Sequence, residues 1–268
     1  MLHNPNMSRL VKSRIENEGL IGKRRDQFVS AAIGLFSKFG FHSTTVKQIA
    51  DEARISPGTI YQYVTDKEDI LFLAIQQIVH TNMRVIPAAL RDVSDPIHRF
   101  IVAFDVYCRV FDKKRDAVLL TYRESKSLQP KHRAVIKQME IDTNELIASC
   151  VRDCVSHGFF RAINVDLFIY QVIMVAHTWA LKHWRMREIT TIDDYIAANI
   201  DILLHAVLTD RGWPHYRSYQ PARTMDIEEP PASGRGKART ARAERDSGSR
   251  EPKIAPATGE DAQQSDGQ

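Results

Sequence analysis

A chain of 268 residues, 43% of them hydrophobic, can bury a substantial core and exceeds what one small domain requires. With 37 Lys+Arg against 33 Asp+Glu the formal net charge is +4, which excludes a uniformly basic chain and leaves any attraction to nucleic acid to local sorting of charge. The three cysteines, Cys108, Cys150 and Cys154, exclude a disulfide framework. Residues 1–8 lack a signal-peptide pattern, and the apolar stretch 165–181 is broken by Asp166, Gln171 and His177, so a cytoplasmic protein without a membrane segment is expected.

From Lys23 to Leu208 the hydrophobic spacing is helical, which predicts an all-α fold. Phe28, Ala32, Leu35, Phe36 and Phe39 make the buried stripe of a first helix that ends at Gly40. Thr45 with Gln48 three residues on is a capping box, opening a second short helix whose Val46, Ile49, Ala50 and Ala53 face inward. Arg54 and Ile55 make a turn. Ser56-Pro57 then pairs a capping hydroxyl with a proline at the first helical position, so a third, very short helix starts at Pro57. Thr65 or Asp66 caps a longer fourth helix with Ile70, Leu71, Ala74, Ile75, Ile78 and Val79 in one stripe, fading near Pro87. Further helices are expected over residues 96–111, 114–128, 130–157, 165–187 and 192–208. After Trp213 the Pro-, Gly-, Ser-, Arg- and Glu-rich composition predicts disorder to Gln268.

Two short helices joined by a tight turn on a preceding amphipathic helix form a shape whose second member fits a DNA major groove. The side chains suit that use. Gly58 and Thr59 permit close approach to base edges, while Tyr61, Gln62 and Tyr63 present hydrogen-bonding tips, Gln62 with a geometry matching adenine. The free N–H groups opening the second helix, with Thr44, Thr45 and Lys47, are expected to hold phosphate, as is Lys67. Singly, each of these residues is ordinary helix furniture; their combination within a few turns points to DNA.

The run 24–71, RRDQFVSAAIGLFSKFGFHSTTVKQIADEARISPGTIYQYVTDKEDIL, resembles the N-terminal domain of TetR-family regulators. The likeness rests on Ala32 with Leu35-Phe36, Gly40-Phe41, Thr44-Thr45, Ile49-Ala50, and Gly58-Thr59-Ile60-Tyr61-Gln62-Tyr63 followed by Lys67-Glu68. Val64 stands where many members carry Phe. The resemblance implies that Thr45, Thr59, Tyr63 and Lys67 touch DNA, Tyr63 and Lys67 on phosphates, with Ala50 and Ile60 as scaffold. It implies a domain order of a basic arm (1–21), a helix-turn-helix unit (22–68), a helical ligand-binding and dimerisation domain (69–212) and a tail (213–268). Arg9, Lys12, Arg14 and Lys23 to Arg25 give the arm charge for an adjacent groove, or leave it solvated. The tail holds nine Lys+Arg, Arg235, Lys237, Arg239, Arg242 and Arg245 among them, and nine Asp+Glu, which predicts a neutral solubilising segment.

In the second half, Val172 to Ala176 are apolar on every side. Ile196, Ile200, Leu203 and Val207, with Tyr195, Ile202 and Ala206 beside them, form a face on the last long helix, and the two together predict a homodimer through a four-helix contact on a palindromic operator. A pocket for a small-molecule inducer is expected among the middle helices from Phe104, Tyr107, Phe111, Tyr122, Met139, Phe168, Met174 and Trp179. Tyr122-Arg123-Glu124 before Leu128, with Trp179 and Trp184, resembles members answering to acyl-CoA thioesters, which implies Arg123, His177 and Lys182 near phosphate or thioester oxygens, with His183 and Arg185 more simply read as surface. Cys150, Cys154 and His157 share one helical face but lack a fourth ligand, so neither a metal nor another cofactor is expected. No phosphate-cradling glycine loop or Gly-x-Ser-x-Gly appears, so no enzyme is expected. The sequence therefore points to a repressor released by ligand, with an activator, a ligand-independent architectural DNA binder or a helical scaffold as alternatives.

Overall fold

The structure, a computed structural model, describes residues 11–219, and among them every regular element is helical. Asn17 accepts from the N–H of Leu20 to open α1 (Glu18–Phe39). Gly40, at φ 85°, ends it in a backbone conformation that a side chain would strain, and donates its N–H to Phe36 O. The capping box at Thr45 is complete, with Gln48 returning the hydrogen bond, and opens α2 (Val46–Glu52). Ser56 accepts from the N–H of Thr59 to open α3 (Pro57–Ile60). Between them Arg54 takes φ 55°, which lets the chain double back within three residues. Asp66 caps α4 (Lys67–Ala89), which ends near Pro87 as expected and carries that proline inside its last turn. So near a helix end, the proline ring costs only one backbone hydrogen bond.

Asp95 accepts from the N–H groups of Ile97 and His98, with Pro96 at the first helical position, and starts α5 (Pro96–Lys113). There follow α6 (Arg115–Glu124), a 3-10 turn at Ser125–Ser127, α7 (Pro130–Ser156), α8 (Val165–Leu181), α9 (His183–Ile189), α10 (Ile192–Val207) and α11 (Trp213–Ser218). Three expectations need correction. The single helix expected over 165–187 is broken at Lys182, whose φ of −112° and ψ of 21° leave the helical region. The apolar pattern stops at Leu181, so no buried stripe holds the next turn in line.

The tail expected to be disordered from Trp213 begins as α11, tied down by His215 on Asp95 and by His98 Nε2 against His215 O at 2.9 Å. Gly212 allows this docking, because a Cβ there would meet Phe159 O and Leu208 Cδ2, each at 2.5 Å. The expectations for 220–268, the basic cluster at Arg235 to Arg245 included, lie outside the described residues, as does that for Arg9. The third correction concerns the basic arm expected over 1–21, whose solvated alternative does not hold from Val11 onward. Val11 is buried, the Arg14 N–H donates to Gln62 O at 2.8 Å, and α1 already runs from Glu18.

Two hydrophobic cores share α4. Its first half, Ile70 to Ile75, packs with Phe28, Phe36, Ile49 and Ile60 of the first three helices, and Leu120, Leu128, Ile136 and Met139 close the same core from α6 and α7. Its second half, Ile78 to Ile86, packs with α5, α8 and α10 around Phe100, Phe104 and Phe160. The boundary expected at 68/69 is therefore not a gap in packing. One long helix belongs to both cores.

Candidate nucleic-acid interface and ligand site

The geometry of α3 follows from one buried side chain. Ile60 is fully enclosed, which turns the other positions of this short helix outward. Gly58 is exposed, and a Cβ added there would meet only Ser56 Oγ at 3.8 Å, so nothing inside the molecule requires glycine. The space it leaves lies on the outer surface, where a partner can approach the backbone. Thr59 is half-exposed with its hydroxyl 2.8 Å from Ser56 Oγ, Tyr61 is 45% exposed, and Gln62 is exposed. Thr45 and Lys47 stand exposed at the start of α2.

Three of the expected DNA contacts are engaged elsewhere. Thr44 is buried, its hydroxyl donating to Gly40 O at 2.8 Å, which braces the α1–α2 loop. Tyr63 is 3% exposed with its ring 6.5 Å from that of Phe28, so the outward Tyr-Gln-Tyr reduces to Tyr61 and Gln62. Lys67 donates its ammonium to the carbonyls of Phe41 at 2.8 Å, His42 at 3.2 Å and Thr44 at 2.9 Å, and lies over the Phe41 ring. An ammonium has three N–H donors, and all are used. Burial also lowers its pKa.

Arg25 was expected only as arm charge. It is buried, its guanidinium donating to Val11 O at 2.7 Å and Tyr63 O at 2.9 Å, and it thereby fastens the N-terminal segment and the end of α3 to α1. Its pKa is lowered by burial, which the charge of Asp69 opposes. Nothing in the local spacing distinguishes it from Arg24, because its partners lie 14 and 38 residues away.

Four of the expected ligand residues converge between α5, α6 and α8. His177 lies against Phe111 at a ring distance of 4.6 Å, its Nε2 3.1 Å from the Tyr107 hydroxyl and its Nδ1 hydrogen-bonded to the Tyr122 hydroxyl. Burial pushes the His177 pKa down to about 4, so at neutral pH the ring is uncharged and donates through one nitrogen while accepting through the other. Burial raises both tyrosine pKa values, with Glu140 adding to each, and burial raises that of Glu140 itself. Glu140, on α7, is a neighbour the sequence did not single out. The cluster is a set of neutral donors and acceptors beside an aromatic wall, suited to a polar but uncharged group of a ligand.

The other four separate. Phe104 is fully buried core; Met174 is 44% exposed on the outer side of α8; Arg123 is exposed and donates to Ser37 O of α1 at 3.3 Å. Trp179 belongs to a second group, its Nε1 donating to Asp112 Oδ1 at 2.8 Å, with His183 and Tyr195 at ring distances of 5.3 Å and 5.0 Å. Cys150 and Cys154 are buried thiols with pKa values raised by burial, whereas His157 is exposed and turns to Asp153 O. Those three make no common site.

The face expected to pair two copies is also rearranged. Ile196, Ile200, Leu203 and Val207 are core residues of the single chain. Met174 and Ile202, both of the expected patch, do face outward, Ile202 at 65% exposure, and Leu167 and Tyr170 join Met174 on α8 at helical spacing. No helix of the described residues is long and apolar enough to cross a membrane.

Comparison with known proteins agrees with this architecture. Residues 28–74 match the family of bacterial regulatory proteins, tetR family, and residues 93–207 match the tetracyclin repressor-like C-terminal domain. The HTH-type transcriptional regulator HbdR of Aromatoleum sp. (strain CIB) is 41% identical over 202 residues, spanning 75% of this chain and 88% of that protein. The HTH-type transcriptional repressor KstR2 of Mycobacterium tuberculosis (strain ATCC 25618 / H37Rv) is 24% identical over 172 residues, spanning 62% and 83%. Among solved structures, that of AibR in complex with isovaleryl coenzyme A and operator DNA has a TM-score of 0.59 at 15% identity, covering 68% of this chain and 98% of that one. The TetR family transcriptional regulator PfmR from Thermus thermophilus has a TM-score of 0.59 at 21% identity, covering 66% and 97%.

Proposed function

The chain belongs to the TetR family of bacterial regulatory proteins, and from that premise we propose that it is a homodimeric repressor whose operator affinity is lowered by a small acyl-CoA thioester. It is a DNA-binding transcriptional regulator of the helix-turn-helix type. The observation that carries the DNA half is α3 itself, a stub pivoted on buried Ile60 with Gly58, Tyr61 and Gln62 facing out. Gln62, Tyr61 and Thr59 read base edges, Gly58 lets the backbone approach, and Thr45 and Lys47 position the unit on phosphate. Thr44, Tyr63 and Lys67 hold the frame that presents them.

Pairing of the α8 and α10 faces through Leu167, Tyr170, Met174 and Ile202 removes exposed apolar surface and sets two recognition helices about 34–36 Å apart, one helical turn of a palindromic operator. The effector binds against Tyr107, Phe111, Tyr122 and His177, and its differential affinity for two placements of α4 changes that spacing. An acyl-CoA is the class favoured because AibR, of the same fold, is held with isovaleryl coenzyme A and operator DNA. The protein acts in the cytoplasm, where DNA and thioester meet.

The test is fluorescence anisotropy of the purified protein on palindromic DNA from its own promoter region at moderate salt, followed by titration with a panel of acyl-CoAs. Saturable binding is expected, with release by a subset of thioesters. Gln62→Ala is expected to weaken binding about 10- to 100-fold, equivalent to about 1–3 kcal/mol, without changing the melting temperature. Absence of specific binding, or a Gln62→Ala variant that binds as tightly as wild type, rejects the reading of α3. Binding that no thioester relieves rejects the effector class.

A further inference from the structure

The first turn of α4 commits consecutive side chains to different neighbours. Lys67 grips the α1–α2 loop, as described above. Glu68 turns to the start of α7, its Oε1 accepting from the backbone N–H of Gln129 at 2.9 Å and lying 2.8 Å from His132 Nδ1. Asp69 is buried; its Oδ2 accepts from the N–H of Thr65 at 2.7 Å and its Oδ1 stands 4.0 Å from His132 Nε2. The His132 ring is fully enclosed and stacked on Phe72 at 4.3 Å.

An ion pair between Glu68 and His132 does not account for this arrangement. Glu68 Oε2 and His132 Nε2 are both buried and lack a hydrogen-bond partner, a condition that native interiors seldom leave unrelieved. With Nδ1–H donated to the Glu68 carboxylate, Nε2 keeps its lone pair, which is the tautomer and the carboxylate partner that metal-binding histidines use. That lone pair faces the Asp69 carboxylate across a gap, and two electron-rich atoms so placed repel unless a positive group lies between them. Arg25 lies close enough to Asp69 for the carboxylate charge to act on it.

The dimensions suit a small cation. One donor atom from each of Glu68, Asp69 and His132 lies within 4.8 Å of the others. Ligand atoms bonded to one zinc-class ion at 2.0–2.2 Å are separated by about 3–4 Å, which the 4.0 Å between His132 Nε2 and Asp69 Oδ1 already matches. Mixed imidazole and carboxylate donors favour first-row transition cations over calcium or magnesium. We propose that His132 Nε2 and Asp69 bind one divalent first-row transition cation, with Glu68 orienting the ring through Nδ1–H and water completing the coordination, and that the ion clamps the first turn of α4 to the start of α7.

The experiment uses the full chain, stripped with chelator and titrated calorimetrically with ZnCl2, and separately with CoCl2 while visible absorption is recorded. One ion per chain is expected, with cobalt ligand-field bands and a raised melting temperature. Glu68→Gln and Asp69→Asn, close in size to the native residues and checked for folding by circular dichroism, are expected to bind on the order of 100-fold more weakly. No saturable uptake by folded wild type overturns the proposal. Uptake unchanged in both variants places the ion elsewhere and overturns it equally. The readout is metal uptake, so its failure is distinct from any failure of operator binding.

Discussion

The helix-turn-helix unit and the His177 cluster differ in how far apart in the chain their polar partners lie. Thr45 with Gln48 and Ser56 with Thr59 are three residues apart, so the DNA-facing helices are set by neighbours along the chain. His177 finds Tyr107 and Tyr122 at separations of 70 and 55 residues, and its neutral state is imposed by a pocket that three helices build. Locally determined parts tolerate loss of one partner at modest cost; a cluster assembled from distant helices is only as stable as the core beneath it.

The strongest challenge to that contrast is removal of the core. Phe104→Ala deletes a fully buried ring and is expected to destabilise the chain by about 3–5 kcal/mol in urea unfolding. A loss below about 1 kcal/mol would mean the helices collapse around the gap, and the cluster would not depend on them as argued.

Next in size is the pH response of His177. Its pKa is about 4 in the folded chain against an ordinary value of 6.5, so protons bind the unfolded chain more readily. Stability from this group is complete above the unfolded value and is lost as pH falls from 6.5 towards 4, by up to about 3 kcal/mol. Unfolding free energies of wild type and His177→Phe, compared across that window, are expected to diverge by roughly one proton of slope. Parallel curves would show that the ring is not held neutral.

Lys67→Met sharpens the comparison from the other side. Loss of an ammonium bridging three loop carbonyls is expected to cost about 2 kcal/mol in the absence of any DNA. If stability is unchanged and only operator affinity drops, Lys67 is a phosphate contact after all. Ser56→Ala is the mildest change, removing one cap for about 1 kcal/mol, and thermal melts should register it with little effect on effector response. A change in effector response larger than the stability loss would couple the two regions more tightly than their packing suggests.

Much of the N-terminal unit was legible because caps, prolines and glycines act within a few residues. The Thr45–Gln48 box, the Ser56-Pro57 start and the Gly40 stop appear in the structure as the spacing predicts. Tyr63 was expected to face outward and is instead packed on Phe28, and Lys67 turns to carbonyls more than 20 residues away, partners that no local spacing records. Arg25 and Glu140 carried no local signal at all. On α10 the sequence marked an apolar face, but that face fills the core, and the outward Ile202 looked like a flank.

The sequence by itself determined an all-helical chain, the order of its elements and the segment that meets DNA, since hydrophobic period and capping chemistry are properties of adjacent residues. Only the tertiary structure decided which polar side chains are exposed, that α4 serves two cores, and that His177 stays neutral. Burial and pKa depend on atoms brought together from distant turns, and no local spacing encodes that meeting.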